Sequence, residues 1–160
     1  MALKDTVSDQ EVVMTEIVLP SHTNSLGTVF GGVIMSWIDI AGSIAAQRHC
    51  RQTVVTASID DLAFIASVKL GWFVQIRARV NYTARTSMEI GVRVDAENPM
   101  TGEKHHTSTA YLTFVALDKS GKPVPVPPLD IKTDEQKRRA SEAVKRREFR
   151  LKRRTKTQQA

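Results

Sequence analysis

The chain has 160 residues, 41% of them hydrophobic, one cysteine and a formal net charge of +6, enough for one domain with a real core and too short for two comfortable ones. No apolar run is long enough to cross a bilayer, no basic-then-apolar leader opens the chain, and the lone Cys50 cannot form an internal disulfide. A cytoplasmic protein is expected, with no membrane partner.

The charge is unevenly spread. Residues 1–129 hold 11 Lys and Arg against 12 Asp and Glu, whereas residues 130–160 hold 12 against 5. This predicts a neutral domain over 1–129 and a basic segment over 130–160. Such a segment can meet nucleic acid, an anionic surface or a phosphorylated ligand, or be solvated. Only one aromatic, Phe149, falls among its Lys and Arg residues, so base stacking is not supported and nucleic acid is not expected as a partner.

Met1 to Gln10 is polar and reads as loose. From Glu11 a β-rich run forms a first strand, stopped by Pro20. Ser21 to Asn24 approaches a helix that opens at Gly31-Gly32, with His22 read as part of that loop. Two residues without Cβ atoms at a helix start let a ligand approach amides that have no partner inside the helix, at the positive end of its dipole. That geometry suits an oxyanion. At 100° per residue Ile34, Ile38, Ala41 and Ala45 share one face, and Trp37, Ile40 and Ile44 extend it. A helix apolar around most of its circumference must be wrapped on several sides. Asp39 is its one carboxylate, on a strip flanked by the small residues Gly42, Ser43 and Ala46, which leaves room for a substrate or a second chain. Cys50, between Arg48, His49 and Arg51, reads as an inert thiol at the exposed helix end.

Val54 to Phe64 reads as the second strand, with Thr56 and Ser58 on one face as candidate pocket hydroxyls beside the helix. Asp60 and Asp61, being adjacent, point to opposite faces and cannot act as a facing pair. Trp72 to Tyr82 and Ser87 to Glu97 alternate apolar and polar residues, His105 to Leu117 reads as a long final strand, and the three are separated by short turns, an antiparallel meander. Adjacent His105 and His106 face opposite ways without further ligands at suitable spacing, so no metal is expected. Pro123 to Pro128 should run as an extended strap. Thr133-Asp134-Glu135-Gln136 is a capping-box start for a charged helix to about Arg150, docking loosely through Ala140, Ala143, Val144 and Phe149, with Arg153 to Ala160 disordered. Strand, helix and four strands make an α+β fold: one curved antiparallel sheet around one long helix, plus the basic C-terminal helix.

The segment Asn24-x-x-Gly27-x-Val29-Phe30-Gly31-Gly32-x-Ile34-Met35-x-x-x-Asp39 resembles the hotdog-fold acyl-CoA thioesterases, in the branch of short bacterial acyl-CoA hydrolases of the YciA type and the brain acyl-CoA hydrolase repeats. Asn81-Tyr82-Thr83-Ala84-Arg85-Thr86-Ser87-Met88-Glu89 and Pro123 to Pro128 are similar to the same family. His22 departs from it, the family more often having Asp there.

The resemblance implies hydrolysis of fatty acyl-CoA, with Asp39 as general base or nucleophile, Asn24 orienting water or carbonyl, and the Gly31 and Gly32 amides as an oxyanion hole. It further implies a dimer in which Asn24 and Asp39 come from opposite subunits, often assembled as a trimer of dimers. Coenzyme A, part of the substrate rather than a cofactor, would be bound by Arg85, Thr86 and Ser87 and by Thr56 and Ser58, with Lys145, Arg146, Arg147 and Arg150 adding charge near its nucleotide. Three alternatives stand beside this. A hotdog hydratase or dehydratase wants a His near the helix carboxylate, and none precedes His49. The others are a non-catalytic acyl-CoA-binding protein and a nucleic-acid-binding one.

Overall fold

The computed structural model describes residues 6–60 and 62–158. The elements in chain order are β1 (Val7–Ser8), β2 (Val12–Ile17), α1 (Gly31–Cys50), β3 (Thr53–Asp60), β4 (Phe73–Thr83), β5 (Ser87–Glu97), β6 (Lys104–Leu117), β7 (Leu129–Asp130) and α2 (Asp134–Gln158), with a short 3-10 turn over Pro20–His22. β2 to β6 form an antiparallel sheet in the order β2-β4-β5-β6-β3. All five strands touch α1, which is the wrapping that a helix apolar on most sides requires.

The inner face of the sheet and the buried side of α1 make one core. Ile34, Trp37, Ile38, Ala41 and Ala45 of the helix meet Val74, Ile76, Ile90, Leu112 and Phe114 of the strands, all buried. Gly42 is where helix and sheet come closest: a Cβ there would lie 3.0 Å from Phe114 Cε2. The room expected beside Asp39 at Gly42 and Ala46 is therefore taken by this chain's own sheet, and both residues are buried. Met35 and Ile40 of α1 remain 40% and 48% exposed.

The C-terminal end of α1 differs from expectation. Arg48 and Arg51 are exposed, but His49 and Cys50 are buried. The proline strap explains this, since His49 Nε2 donates to the Pro127 carbonyl at 2.7 Å as the strap passes over the helix end. The strap itself is pinned by Val124 N to Ala116 O and Val126 N to Arg85 O, each 2.9 Å. It ends in β7, which pairs in parallel with β1. The stretch read as loose before Gln10 is thus structured at Val7 and Ser8, and Met1 to Asp5 lie outside the described residues.

α2 lies on the outer face of the sheet. Its capping box forms as predicted: Gln136 N donates to Thr133 Oγ1 (3.1 Å) and Thr133 N to Gln136 Oε1 (2.9 Å). The helix then continues to Gln158, well past the expected end near Arg150, and residues 159 and 160 lie outside the described residues. Its docking is also not the expected one. Ala140 and Ala143 are buried, but Val144 and Phe149 stay exposed, and the attachment is ionic. Arg139, Arg146 and Arg150 share one stripe at 100° per residue. They meet Asp9 (2.8 Å), Glu89 (2.7 Å) and Asp60 (2.6 Å).

Candidate functional site

The loop before α1 builds itself around Asn24. Its Oδ1 accepts from the amides of Leu26 (2.9 Å) and Thr28 (3.3 Å), while Nδ2 donates to Thr28 Oγ1 (3.0 Å). Asn24 N and Thr28 O close the loop at 2.9 Å. The same residue that carries the sequence motif therefore holds the loop that feeds the helix, and its amide makes no hydrogen bond to Asp39 within one chain. His22 is a loop residue as read: its Nδ1 accepts from Leu19 N at 3.1 Å, and its ring meets Trp37 edge-on at 5.2 Å.

α1 starts at Gly31 with Phe30 as its extended N-cap. The first amides that turn back into the chain are those of Val33 and Ile34, both onto Phe30 O. The two carbonyls one helical turn earlier are already used, Gly27 O by Leu70 N and Thr28 O by Asn24 N. Among the described residues the Gly31 and Gly32 amides thus have no acceptor, as a helix N-terminus without a capping side chain dictates. Gly32 is exposed, and a Cβ on it would meet nothing within 4 Å; on Gly31 it would meet the Phe64 ring at 3.0 Å.

Asp39 is half-buried. Gly32, Ser36, Asp39 and Ser43 follow one another at three- and four-residue steps along one strip of α1. Thr56 Oγ1 of the edge strand β3 donates to Asp39 Oδ1 at 2.6 Å. The structure thereby joins Thr56 to Asp39. It separates Thr56 from Ser58, contrary to the expectation of one shared face. The β3–β6 register shifts between them, so Thr56 pairs with inward Phe114 while Ser58 pairs with Thr113 on the outer face. One extra residue, Ala57, resets the alternation.

Ser58 instead lines a cleft of about 870 Å³ between α2 and the outer face, together with Thr86, Ser87, Thr113, Arg147, Arg150, Arg153 and Arg154. The Ser58 and Thr113 hydroxyls are buried there without partners. Of the four arginines only Arg150 has a carboxylate partner, Asp60, among the described residues. Asp61 lies outside those residues. Arg85 does not line the cleft, although its carbonyl anchors the proline strap. Lys145 does not line it either, and Arg146 is occupied by Glu89 and by the Tyr111 ring, 3.6 Å beneath its guanidinium.

The two strand histidines are structural. His105 stacks on Trp72, and His106 Nδ1 meets Asp95, whose carboxylate also takes Arg93 and Arg77. Burial pushes the Asp95 pKa up, and the hydrogen bonds from Arg93, Arg77 and His106 outweigh it and hold the group below its usual range. Cys50 is pushed up by burial, away from a reactive thiolate. Among the described residues, no three His, Cys, Asp or Glu side chains gather as metal ligands, and no helix is long and apolar enough to cross a membrane.

Comparison with known proteins agrees with this geometry. The thioesterase superfamily model matches residues 26–103. The uncharacterized acyl-CoA thioester hydrolase YkhA of Bacillus subtilis is 44% identical over 128 residues, 80% of this chain and 74% of that protein. The rat cytosolic acyl coenzyme A thioester hydrolase is 36% identical over 140 residues, 86% of this chain, which spans only 37% of the rat protein's length.

Among solved structures, a hexameric acyl-CoA thioesterase in its apo form superposes with a TM-score of 0.86 at 44% identity, covering 89% of this chain and 92% of that one. The Staphylococcus aureus acyl-CoA hydrolase, solved with butyryl coenzyme A, coenzyme A and coenzyme A disulfide, gives 0.86 at 36% identity, covering 93% and 91%. Alanine mutants of the Staphylococcus aureus protein were solved at an Asn, an Asp and a Thr whose spacing along the chain is that of Asn24, Asp39 and Thr56 here. With an antiparallel sheet wrapped around a helix that opens on two free amides and carries a threonine-held acid, the chain belongs to the thioesterase superfamily, among its hotdog-fold acyl-CoA hydrolases.

Proposed function

We propose that the chain hydrolyses fatty acyl-CoA to a free fatty acid and coenzyme A in a site completed by two copies of itself. The observation that carries this is the layout of α1, with unpartnered amides at Gly31 and Gly32 and the Thr56-held carboxylate of Asp39 two turns on. The amides hold the oxygen that becomes negative as the thioester is attacked. Asp39 either draws a proton from water or attacks the carbonyl itself, and Asn24 orients water or carbonyl.

One chain cannot bring these groups onto one carbonyl. Eight residues separate Gly31 from Asp39, about 12 Å along a helix that rises 1.5 Å per residue. Asp39 of a second copy, running antiparallel, supplies what the first lacks. The exposed Ile40 of α1 and the unpaired edge of β3, with Val55 44% exposed, are the surfaces such a pairing would cover. A trimer of such dimers fits the hexameric form of the similar thioesterase.

The basic cleft is assigned to the phosphates of coenzyme A through Thr86, Ser87, Arg147, Arg153 and Arg154. Arg85 stands at the same turn, its exposed guanidinium available to the nucleotide end. Cleft and carboxylate of one chain open on opposite faces of the sheet, which again calls for residues of two copies around one substrate.

The test is release of free thiol from acyl-CoA esters of graded chain length. Asn24→Ala and Asp39→Ala chains should each lose about 100-fold or more of the rate, and dimers mixed from the two should regain activity. A wild type that releases no thiol from any ester ends this reading, and a mixture that stays inactive ends the two-copy site.

A further inference from the structure

Phe64 belongs to the loop between β3 and β4, and the proposed chemistry assigns it nothing. Its ring fills the space that a side chain on Gly31 would take, with Cε2 at 3.0 Å and Cζ at 3.3 Å from the position of a Gly31 Cβ. It does so while remaining 46% exposed, so the ring packs on the helix start and is also open to what enters beside it.

The loop that carries it is fastened at both ends of the mouth. Ile65 N donates to Thr107 O of β6 at 2.8 Å, Val29 N to Val68 O at 2.8 Å, and Leu70 N to Gly27 O at 3.0 Å. Thr28 and Lys69 add an isolated bridge between the two loops. A large apolar ring is thus held half-exposed by backbone hydrogen bonds, although exposure of so much apolar surface is unfavourable by itself. Met35, one turn after Gly31 on α1, is 40% exposed, and Ile65, next to Phe64, is 70% exposed. The mouth is consequently apolar where the free amides open.

We propose that Phe64 is a specificity-determining residue that walls the first carbons of the acyl group, with Met35 continuing the wall, so that esters branched at the carbon next to the carbonyl are disfavoured. This rests on the reading of the Gly31 and Gly32 amides as the site of the thioester oxygen. An oxygen held there at hydrogen-bond distance has its carbonyl carbon within reach of whatever packs on Gly31, and what packs on Gly31 is this ring. An apolar wall suits the hydrocarbon side of the ester. The thiol side is a chain of amides leading to phosphates, and it finds its polar partners elsewhere.

The experiment compares kcat/KM for butyryl-CoA and isobutyryl-CoA in wild type, Phe64→Ala and Phe64→Leu. Wild type should favour the straight ester, and Phe64→Ala should shrink that preference about tenfold, the scale at which one methyl group is discriminated in an apolar site. Phe64→Leu, which keeps an apolar filling, should shift it less and serves as the measure if the alanine variant does not fold. Gly31→Ala should be impaired by the collision with the ring and improved when combined with Phe64→Ala. An unchanged ratio of the two esters in active variants overturns the proposal alone. If wild type acts only on longer esters, the same ratio is read on a straight ester of that length and its 2-methyl isomer; a wild type that releases no thiol from any ester removes the thioesterase reading and this proposal together.

Discussion

The two helices lie on opposite faces of one sheet and are held there by different forces. α1 is enclosed by apolar contact, buried from Ile34 to Cys50 along the side that faces the strands. α2 buries only Ala140 and Ala143 as apolar residues and is fastened by three arginines on one stripe to Asp9, Glu89 and Asp60. Two of these acids are buried: the Asp9 and Glu89 side chains are 1% and 2% exposed. A basic segment that reads as a solvated tail is in this way partly neutralised by the body it packs on. The inner helix needs shape and apolarity to stay in place, whereas the outer one needs particular partners.

The largest effect should come from the inner side. Phe114→Ala removes the ring that closes on Gly42 and should cost about 3–5 kcal/mol, read from the midpoint of urea unfolding. A loss below about 1 kcal/mol would mean that this contact does not anchor α1.

On the outer side, Arg146→Ala leaves buried Glu89 with Asn81 Nδ2 at 3.2 Å as its remaining donor. The expected cost is about 1–3 kcal/mol. Limited trypsin digestion should show α2 cut before the body unfolds. Replacing both partners, Arg146→Met with Glu89→Gln, should recover much of the loss, because what destabilises is the carboxylate stranded without its cation. If the single and double variants are equally unstable, the outer helix is held by packing after all and the contrast fails.

The smallest effect is a pH dependence at the end of α1. Burial lowers the His49 pKa below its ordinary 6.5, against the hydrogen bond to Pro127 and the charge of Asp9, which raise it. Nδ1 has no partner, so protonation gains no new bond in the folded state. The folded chain resists a proton that the unfolded chain accepts, so this contribution is complete above 6.5 and is lost as pH falls from there through the folded value. Thermal unfolding followed from pH 7.5 to 5 should show the decline in wild type and a flatter profile in His49→Gln. Equal profiles would remove His49 as its source.

Much of this molecule is legible along the chain because its signals are local. Alternation over Trp72 to Tyr82 and Ser87 to Glu97 marks the central strands within a residue or so, and Thr133 with Gln136 marks the start of α2. The glycine pair marks the mouth of α1. The features that were not legible depend on partners distant in sequence. Nothing near Thr56 announces the extra residue at Ala57 that turns Ser58 to the other face, since a bulge is defined only by the register with β6. Nothing near Val7 announces a bond to Pro128. The recurrence of Arg139, Arg146 and Arg150 on one stripe, opposite the outward Glu89, was a usable sign of the outer docking. It takes a pattern of charge, rather than of apolarity, to see it.

The order of residues by itself determined the elements, the apolar helix with its single acid and the glycines that free two amides, because these follow from periodicity and from the absence of a side chain. Tertiary structure alone decided that Thr56 holds Asp39, that Phe64 stands over Gly31 and that the arginines of α2 meet Asp9, Glu89 and Asp60. Each of those is a meeting of side chains brought together only when the sheet curls, and neither periodicity nor composition carries information about which distant atoms will then be 3 Å apart.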